Sequence, residues 1–239
     1  MSVFSISDLH LSGSVPKSME IFGRRWTGYT EKIEKRWRAV VTDKDTVILP
    51  GDISWAMNFD ELKTDFLFLE SLPGRKLLGK GNHDFWWTTV TKMHRFCEEI
   101  GVQSIDFLHN NAFAVENGII CGTRGWFIEE KLQNTVNTAE YAKIVAREKL
   151  RLEFCIAEAE KLRGSEDREI LVYLHFPPVF GNFICEEFVD VLVSHGIRRC
   201  FYGHIHGNYL LPATVDYRGV QFVLIAADYL DFIPLFTPI

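Results

Sequence analysis

Val3-Phe4-Ser5-Ile6-Ser7-Asp8-Leu9-His10 opens the chain with a short apolar run that ends on two side chains able to bind a metal. A run of this length reads as a strand buried on both faces. Four later stretches repeat the pattern. Thr46-Val47-Ile48-Leu49 is stopped by Pro50-Gly51 and followed by Asp52. Lys76-Leu77-Leu78 leads to Gly81-Asn82-His83-Asp84. Residues 169–174 lead to His175, and residues 199–202 to Gly203-His204-Ile205-His206. Strand ends are where α/β proteins gather ligand groups. The i, i+2 spacing of Asp8/His10 and of His204/His206 suits an extended strand exit, with both side chains on one face.

Working outward, helical spacing alternates with these strands. Ile33, Trp37 and Val40/Val41 mark a helix over 29–41, and further helices fit 59–71, 88–100 and 184–195. The longest helix covers 138–163. Asn137 can cap it, Glu140 completes a capping-box-like pair, and Gly164 follows its end. Residues 104–108, 112–116 and 118–122 read as short strands, and Asn110-Asn111 and Asn117-Gly118 between them suggest hairpins. A further strand fits 220–226. There is no repeat, low-complexity segment or linker, so 1–239 reads as one α/β domain. The pattern does not choose between one sheet and two packed mixed sheets with helices outside.

The chain has 239 residues, 47% hydrophobic and 24% charged, enough for a large core and too apolar for disorder. Its net charge of −6 makes it a poor candidate for a nucleic-acid binder, which needs basic patches against phosphate. Bound cations would offset that charge locally, so an anionic substrate remains compatible. The five cysteines are widely spaced with no Cys-x-x-Cys, as expected of buried thiols in a reducing compartment. No signal peptide and no membrane-length apolar run is expected, which makes the cytoplasm the default location. Nothing in the sequence sets an oligomeric state.

The five blocks supply imidazole, carboxylate and amide donors and no thiolate. Such donors suit Mn, Fe, Zn, Ni or Co. Seven or eight of them are too many for one ion and suit two, with one carboxylate shared. Each block alone has a plain structural explanation: Asp-x-His and Gly-Asp occur as turns or caps, and Gly-Asn-His-Asp as a tight turn. The ordered set is what points to a metal centre. His94, His109 and His195 stand outside it.

Asp-x-His, Gly-Asp, Gly-Asn-His-Asp, His and Gly-His-x-His in this order resemble the calcineurin-like metallophosphoesterases, with the likeness running from Asp8 to His206. The resemblance implies a four-layer α/β/β/α sandwich with the site at strand ends between two mixed sheets. It implies that Asp8, His10 and His206 hold one divalent metal ion, that Asn82, His175 and His204 hold a second, and that Asp52 bridges both. His83 would stand beside the phosphate as a catalytic group and not as a ligand. Two cations about 3.5–4 Å apart can share a water and bring hydroxide within reach near neutrality for in-line attack. Asp84 either orients His83 or satisfies backbone amides in its turn.

The expected substrate is a small phosphorylated molecule, a phosphomonoester or phosphodiester. The protein serine/threonine phosphatase branch carries arginines that are missing in Gly51-Asp52-Ile53-Ser54-Trp55-Ala56 and Gly79-Lys80-Gly81-Asn82. The chain is more similar to the bacterial-type phosphodiesterases and phosphohydrolases. Trp55 lies beside a metal block, and Arg24-Arg25-Trp26 and Arg124-Gly125-Trp126 pair arginine with tryptophan. Flat walls with arginines would suit a nucleotide-like substrate, and core packing is the competing reading for each tryptophan. The 12–28 stretch is either a rim over the site or a surface loop. A nuclease or nucleotide-sugar pyrophosphatase would use the same ligands, and a non-catalytic interaction module is the remaining rival.

Overall fold

The computed structural model describes residues 1–127 and 138–239. Asn137, the expected cap of the long helix, lies outside the described residues. The first sheet takes β1 (Val3–Ser5), β2 (Thr46–Leu49), β3 (Arg75–Leu78), β4 (Ile105–Phe107) and β13 (Leu235–Thr237), in the order β13-β1-β2-β3-β4. β1 to β4 are parallel, and β13 closes the β1 edge antiparallel. The second sheet takes β5 (Asn111–Val115), β6 (Gly118–Thr123), β7 (Glu169–Leu174), β10 (Arg199–Tyr202), β11 (Thr214–Tyr217) and β12 (Val220–Leu224), in the order β11-β12-β10-β7-β6-β5. Its four middle strands are parallel and its two edges antiparallel. A small hairpin of β8 (Val179–Phe180) and β9 (Phe183–Ile184) stands apart.

Strand alternation divides the core into three. Val3, Ile48, Leu77, Leu171, Tyr173 and Phe201 face into the space between the sheets. On the other face of the first sheet, Phe4, Val47, Leu49 and Leu78 meet α1 (Tyr29–Val40), α2 (Phe59–Ser71) and α3 (Val90–Ile100) through Ile33, Trp37, Phe66 and Phe96. On the far face of the second, Ile170, Val172, Cys200 and Tyr202 meet α4 (Thr138–Arg163) and α5 (Glu186–Ser194) through Leu152, Ile156, Phe188 and Leu192. The layers are therefore α/β/β/α, and strands covered on both faces explain the near-continuous apolar runs. Long α4 packs on the second sheet and against α5. Tyr173 is satisfied inside the inter-sheet core by Ser5 Oγ at 2.8 Å, which reaches Thr237 Oγ1 at 3.0 Å.

One expectation is corrected. Residues 104–108 and 112–116 do not form a hairpin, because β4 pairs with β3 in one sheet and β5 with β6 in the other. Asn111 accepts the His109 N–H at 2.8 Å and donates to the Phe107 carbonyl at 3.0 Å. The asparagine pair thus builds a side-chain-bonded bend that passes the chain between sheets, not a two-residue strand turn. The hairpin at Asn117-Gly118 does form.

The sheets are joined by backbone at one end. Ser7, just past β1, donates its N–H to Ile225 at 2.8 Å and accepts from Ala227 at 2.8 Å. This parallel bridge aligns the carboxyl ends of β1, β2 and β3 with those of β7 and β10, and the ligand blocks all follow those ends.

Candidate metal centre

The exits from the strands are coiled and not extended as the spacing implied. Asp8 (φ +62°), His10 (φ +46°), Asp52 (φ +51°) and His204 (φ +68°) all lie in the left-handed region. Such conformations cost about 1–3 kcal/mol each and persist where surroundings over-determine them. Here the surroundings are hydrogen bonds between neighbouring exits. The N–H groups of Asp8, His10 and Leu11 donate to Gly51, Asp52 and Ile53 at 3.0, 3.0 and 2.9 Å. Asp84 is buried and accepts the N–H groups of Gly81, Asp52, Ile53 and Ser54 at 2.7, 2.9, 2.9 and 3.3 Å. Of its two open roles, Asp84 therefore takes the backbone one. Glycine is required at two contacts: a Cβ on Gly81 would lie 2.0 Å from Asp52 Oδ1, and one on Gly203 would lie 2.1 Å from Asp8 Oδ2.

These exits bring the side chains into two groups with ligand atoms within 4.8 Å of one another, Asp8/His10/His206 and Asp52/His175/His204. His206 Nε2 is 3.1 Å from His10 Nε2 and 3.4 Å from Asp8 Oδ1. Asn82 Oδ1 is 2.7 Å from His175 Nε2. Asp52 Oδ2 lies between histidines of the two groups, 3.6 Å from His10 Nε2 and 3.6 Å from His175 Nε2. Its other oxygen accepts the His83 N–H at 2.8 Å. The His83 ring itself is in neither group. It packs against Trp55 at 4.3 Å between centroids and faces a cavity of about 730 Å³ over the ligands.

Burial is the largest influence on these groups. It pushes His10 and His175 well below the ordinary imidazole value, and His204 down to about 4. It pushes Asp52 well above the carboxylate range, with the Asp8 and Asp84 carboxylates adding to the effect. His206 is the exception: burial opposes its charge, but hydrogen bonds to Asp228 and Asp8 lift it to about 10. Neutral imidazoles with free lone pairs, beside crowded carboxylates short of positive charge, form a donor set that fits divalent cations.

Sequence reasoning missed Asp228. It is buried, and its Oδ1 lies 2.8 Å from His206 Nδ1. Its Oδ2 accepts from Gly207 N–H at 3.0 Å and from the Tyr209 hydroxyl at 2.8 Å. The available signal was position, since Asp228 follows the end of β12 as the other acids follow their strands.

The expected substrate residues are placed differently from the ligands. Trp26 is buried behind the centre, edge-on to His206 at 5.6 Å and to His10 at 6.2 Å. Trp55 is buried and stacks on His10 at 4.8 Å, with Lys17 Nζ 3.5 Å above its ring. Arg24 is exposed, and the Arg25 guanidinium lies over Tyr209 at 4.1 Å. Arg124 is half-buried against Phe176 at 5.1 Å and Trp126 at 5.8 Å. Among the described residues none of these six lines the cavity, whose aromatic walls are Phe127, Phe180 and Phe183.

Two groups of candidate metal ligands thus stand at the strand ends of a two-sheet α/β/β/α sandwich. Residues 1–208 match the calcineurin-like phosphoesterases, and the chain belongs to that family and is a metal-dependent phosphoesterase. No curated protein sequence matches the chain. Among solved structures it is similar to the phosphopantetheinyl hydrolase of Mycobacterium tuberculosis, at 18% identity and a TM-score of 0.56, over 99% of this chain and 95% of that one. A protein of unknown function from Aquifex aeolicus is similar at 14% identity and a TM-score of 0.51, over 98% and 95%. At these identities the likeness is one of fold. Among the described residues, no helix is long and apolar enough to cross a membrane.

Proposed function

We propose that this chain hydrolyses phosphate esters with two divalent cations. Asp8, His10 and His206 would hold one, Asn82, His175 and His204 the other, and Asp52 would belong to both. The observation that carries this reading is the position of Asp52 Oδ2, 3.6 Å from one nitrogen of each ligand group. The donor set suits Mn, Fe, Zn, Ni or Co. Bound there, two such cations supply Lewis-acid polarisation of phosphoryl oxygens and acidify a water.

The chain's own residues do the rest. Asp84 clamps the Asp52 and Gly81 loops together, so the shared carboxylate is held in place before substrate arrives. Asp228 fixes the ring of His206 through Nδ1, which leaves Nε2 facing Asp8. His83 is the titratable side chain on the cavity wall outside the two ligand groups, among the described residues. Burial, with the Lys17 charge adding, lowers the pKa of its ring and so favours the neutral form. A neutral ring still offers one N–H as a hydrogen-bond donor, here to a phosphoryl oxygen or to the charge developing on the leaving oxygen, and keeps its proton.

The test combines cations with one variant. Turnover of phenyl phosphate should require added Mn, Ni or Co and saturate near two equivalents. His83→Ala should bind the same amount of metal and lose turnover by about 10²–10³-fold. Protein that binds no metal and hydrolyses no aryl phosphate with any of these cations is incompatible with the proposal.

A further inference from the structure

The cavity over the ligands has two unlike sides. One side is the metal centre with His83. The other is Phe127, Phe180, Phe183 and Ile205, with Asn182 and Asn208 as its polar groups. Apart from Asp52 and the histidines, no charged side chain lines it among the described residues. Among the described residues, a second phosphate or a carboxylate on the substrate would meet no cation on this wall and would lose its hydration against phenylalanine.

The wall is built, not incidental. His175-Phe176-Pro177-Pro178 runs directly from a ligand into the β8–β9 hairpin, and two prolines fix its φ angles. The Cys185 N–H closes the hairpin base on the Pro178 carbonyl at 2.9 Å, and Gly181 turns it at φ +56°. Phe180 and Phe183 face each other across the hairpin. Phe127 meets Phe183 edge-on at 4.8 Å and His204 edge-on at 5.6 Å. Phe180 and Phe183 remain half-buried, with ring surface left to contact a ligand. Three rings arranged this way around a ligand histidine favour a flat, uncharged group through stacking and edge contacts.

We propose that Phe127, Phe180 and Phe183 form the leaving-group subsite, and that the substrate is an ester of one phosphoryl group with an uncharged, ring-bearing alcohol. This rests on the phosphoesterase reading above. The phosphoryl group sits on the ligand side, and the ring lies along the hairpin.

The test compares 2-naphthyl, phenyl and 3-carboxyphenyl phosphate with the Mn-supplemented protein. Naphthol and phenol are similar leaving groups, so their ratio reports ring contact. The naphthyl ester should exceed the phenyl ester about tenfold in kcat/KM, chiefly through KM, and the carboxylate should cost about tenfold. In the double variant Phe180→Ala/Phe183→Ala the naphthyl-to-phenyl ratio should fall to about one, and Phe183→Leu should give an intermediate ratio. Calorimetric binding of 2-naphthylphosphonate against phenylphosphonate should follow the same order in all three proteins. A wild-type ratio near one, or a ratio that survives both variants, overturns the subsite and leaves the phosphoesterase reading standing. No turnover of any of the esters overturns both.

Discussion

Three groups converge on Asp228: the His206 ring, the Gly207 amide and the Tyr209 hydroxyl. Burial works against its charge, but these contacts hold its carboxyl below the usual range. Such a partner fixes which histidine nitrogen is free and how the ring is turned. Asp228→Asn keeps the shape and removes the charge. It should weaken cation binding about 10–100-fold with an unchanged far-ultraviolet spectrum, measured by competition with a metal indicator. Wild-type affinity in that variant would mean that the hydrogen bond to His206 Nδ1 suffices without the negative charge of Asp228. At this scale the sequence is legible where a side chain belongs to a block. Asp8, Asp52 and the Gly203–His206 run stand out because histidine or glycine frames them at a strand exit. Asp228 follows Ala226-Ala227 with no such neighbour, so only its strand-end position marks it. The left-handed φ of Asp8 and His10 has no sequence mark at all, since it is held by bonds to the distant Gly51–Asp52 loop.

Among the elements, β3 carries a lysine where its neighbours are apolar. Lys76 is buried, and its Nζ donates to the Leu72 carbonyl at the end of α2 and to Ser104 Oγ. The carbonyl end of a helix favours a cation there. Burial nonetheless lowers its pKa to about 8, with Glu70 opposing. Between about pH 8 and the ordinary lysine range near 10.4, the unfolded chain keeps a proton that the folded chain has lost. Unfolding then takes up a proton, so this lysine makes stability rise with pH in that window. Below it, both states hold the proton and the slope vanishes. Lys76→Met should lack this rise. The stability difference between wild type and variant, from urea unfolding at about pH 7 and about pH 10, should shift in favour of wild type at the higher pH. A difference that does not move with pH contradicts the assignment. Element boundaries follow the same logic of local signal against distant pairing. β1, β2, β7 and β10 are legible from apolar runs. β4 reads as half of a hairpin because its true partner β3 is far away in sequence, and β13, three residues between Pro234 and Pro238, carries too short an apolar run to mark a strand.

For the whole molecule, alternation of strand and helix was enough for the α/β class, but not for the division into two sheets. Strands buried on both faces look the same whichever sheet they join, so the partition depends on which residues share the central core, Ile48 and Leu77 with Leu171 and Phe201. The resemblance supplied the four layers, and the pairing of Ser7 with Ala226 shows how they are tied at the site end. The candidate ligand groups straddle that tie. Asp8, His10, Asp52 and Asn82 follow strands of the first sheet, and His175, His204 and His206 follow strands of the second. Cations held between them would clamp the sheets together, and removing them would leave the buried Asp8, Asp52 and Asp84 carboxylates facing one another. A cation at 100 times its dissociation constant stabilises the folded state by about 2.7 kcal/mol. For a chain of this size each kcal/mol moves Tm by about 2–4 °C, so chelation should lower Tm by roughly 5–10 °C for each cation removed, read in scanning calorimetry. The loss should be local: the Ser7 and Ala227 amides, which bond across the sheets, should exchange faster, while amides in the middle of α4 keep their protection. A Tm indifferent to both chelator and added Mn would mean that the two sheets hold this end closed without any cation.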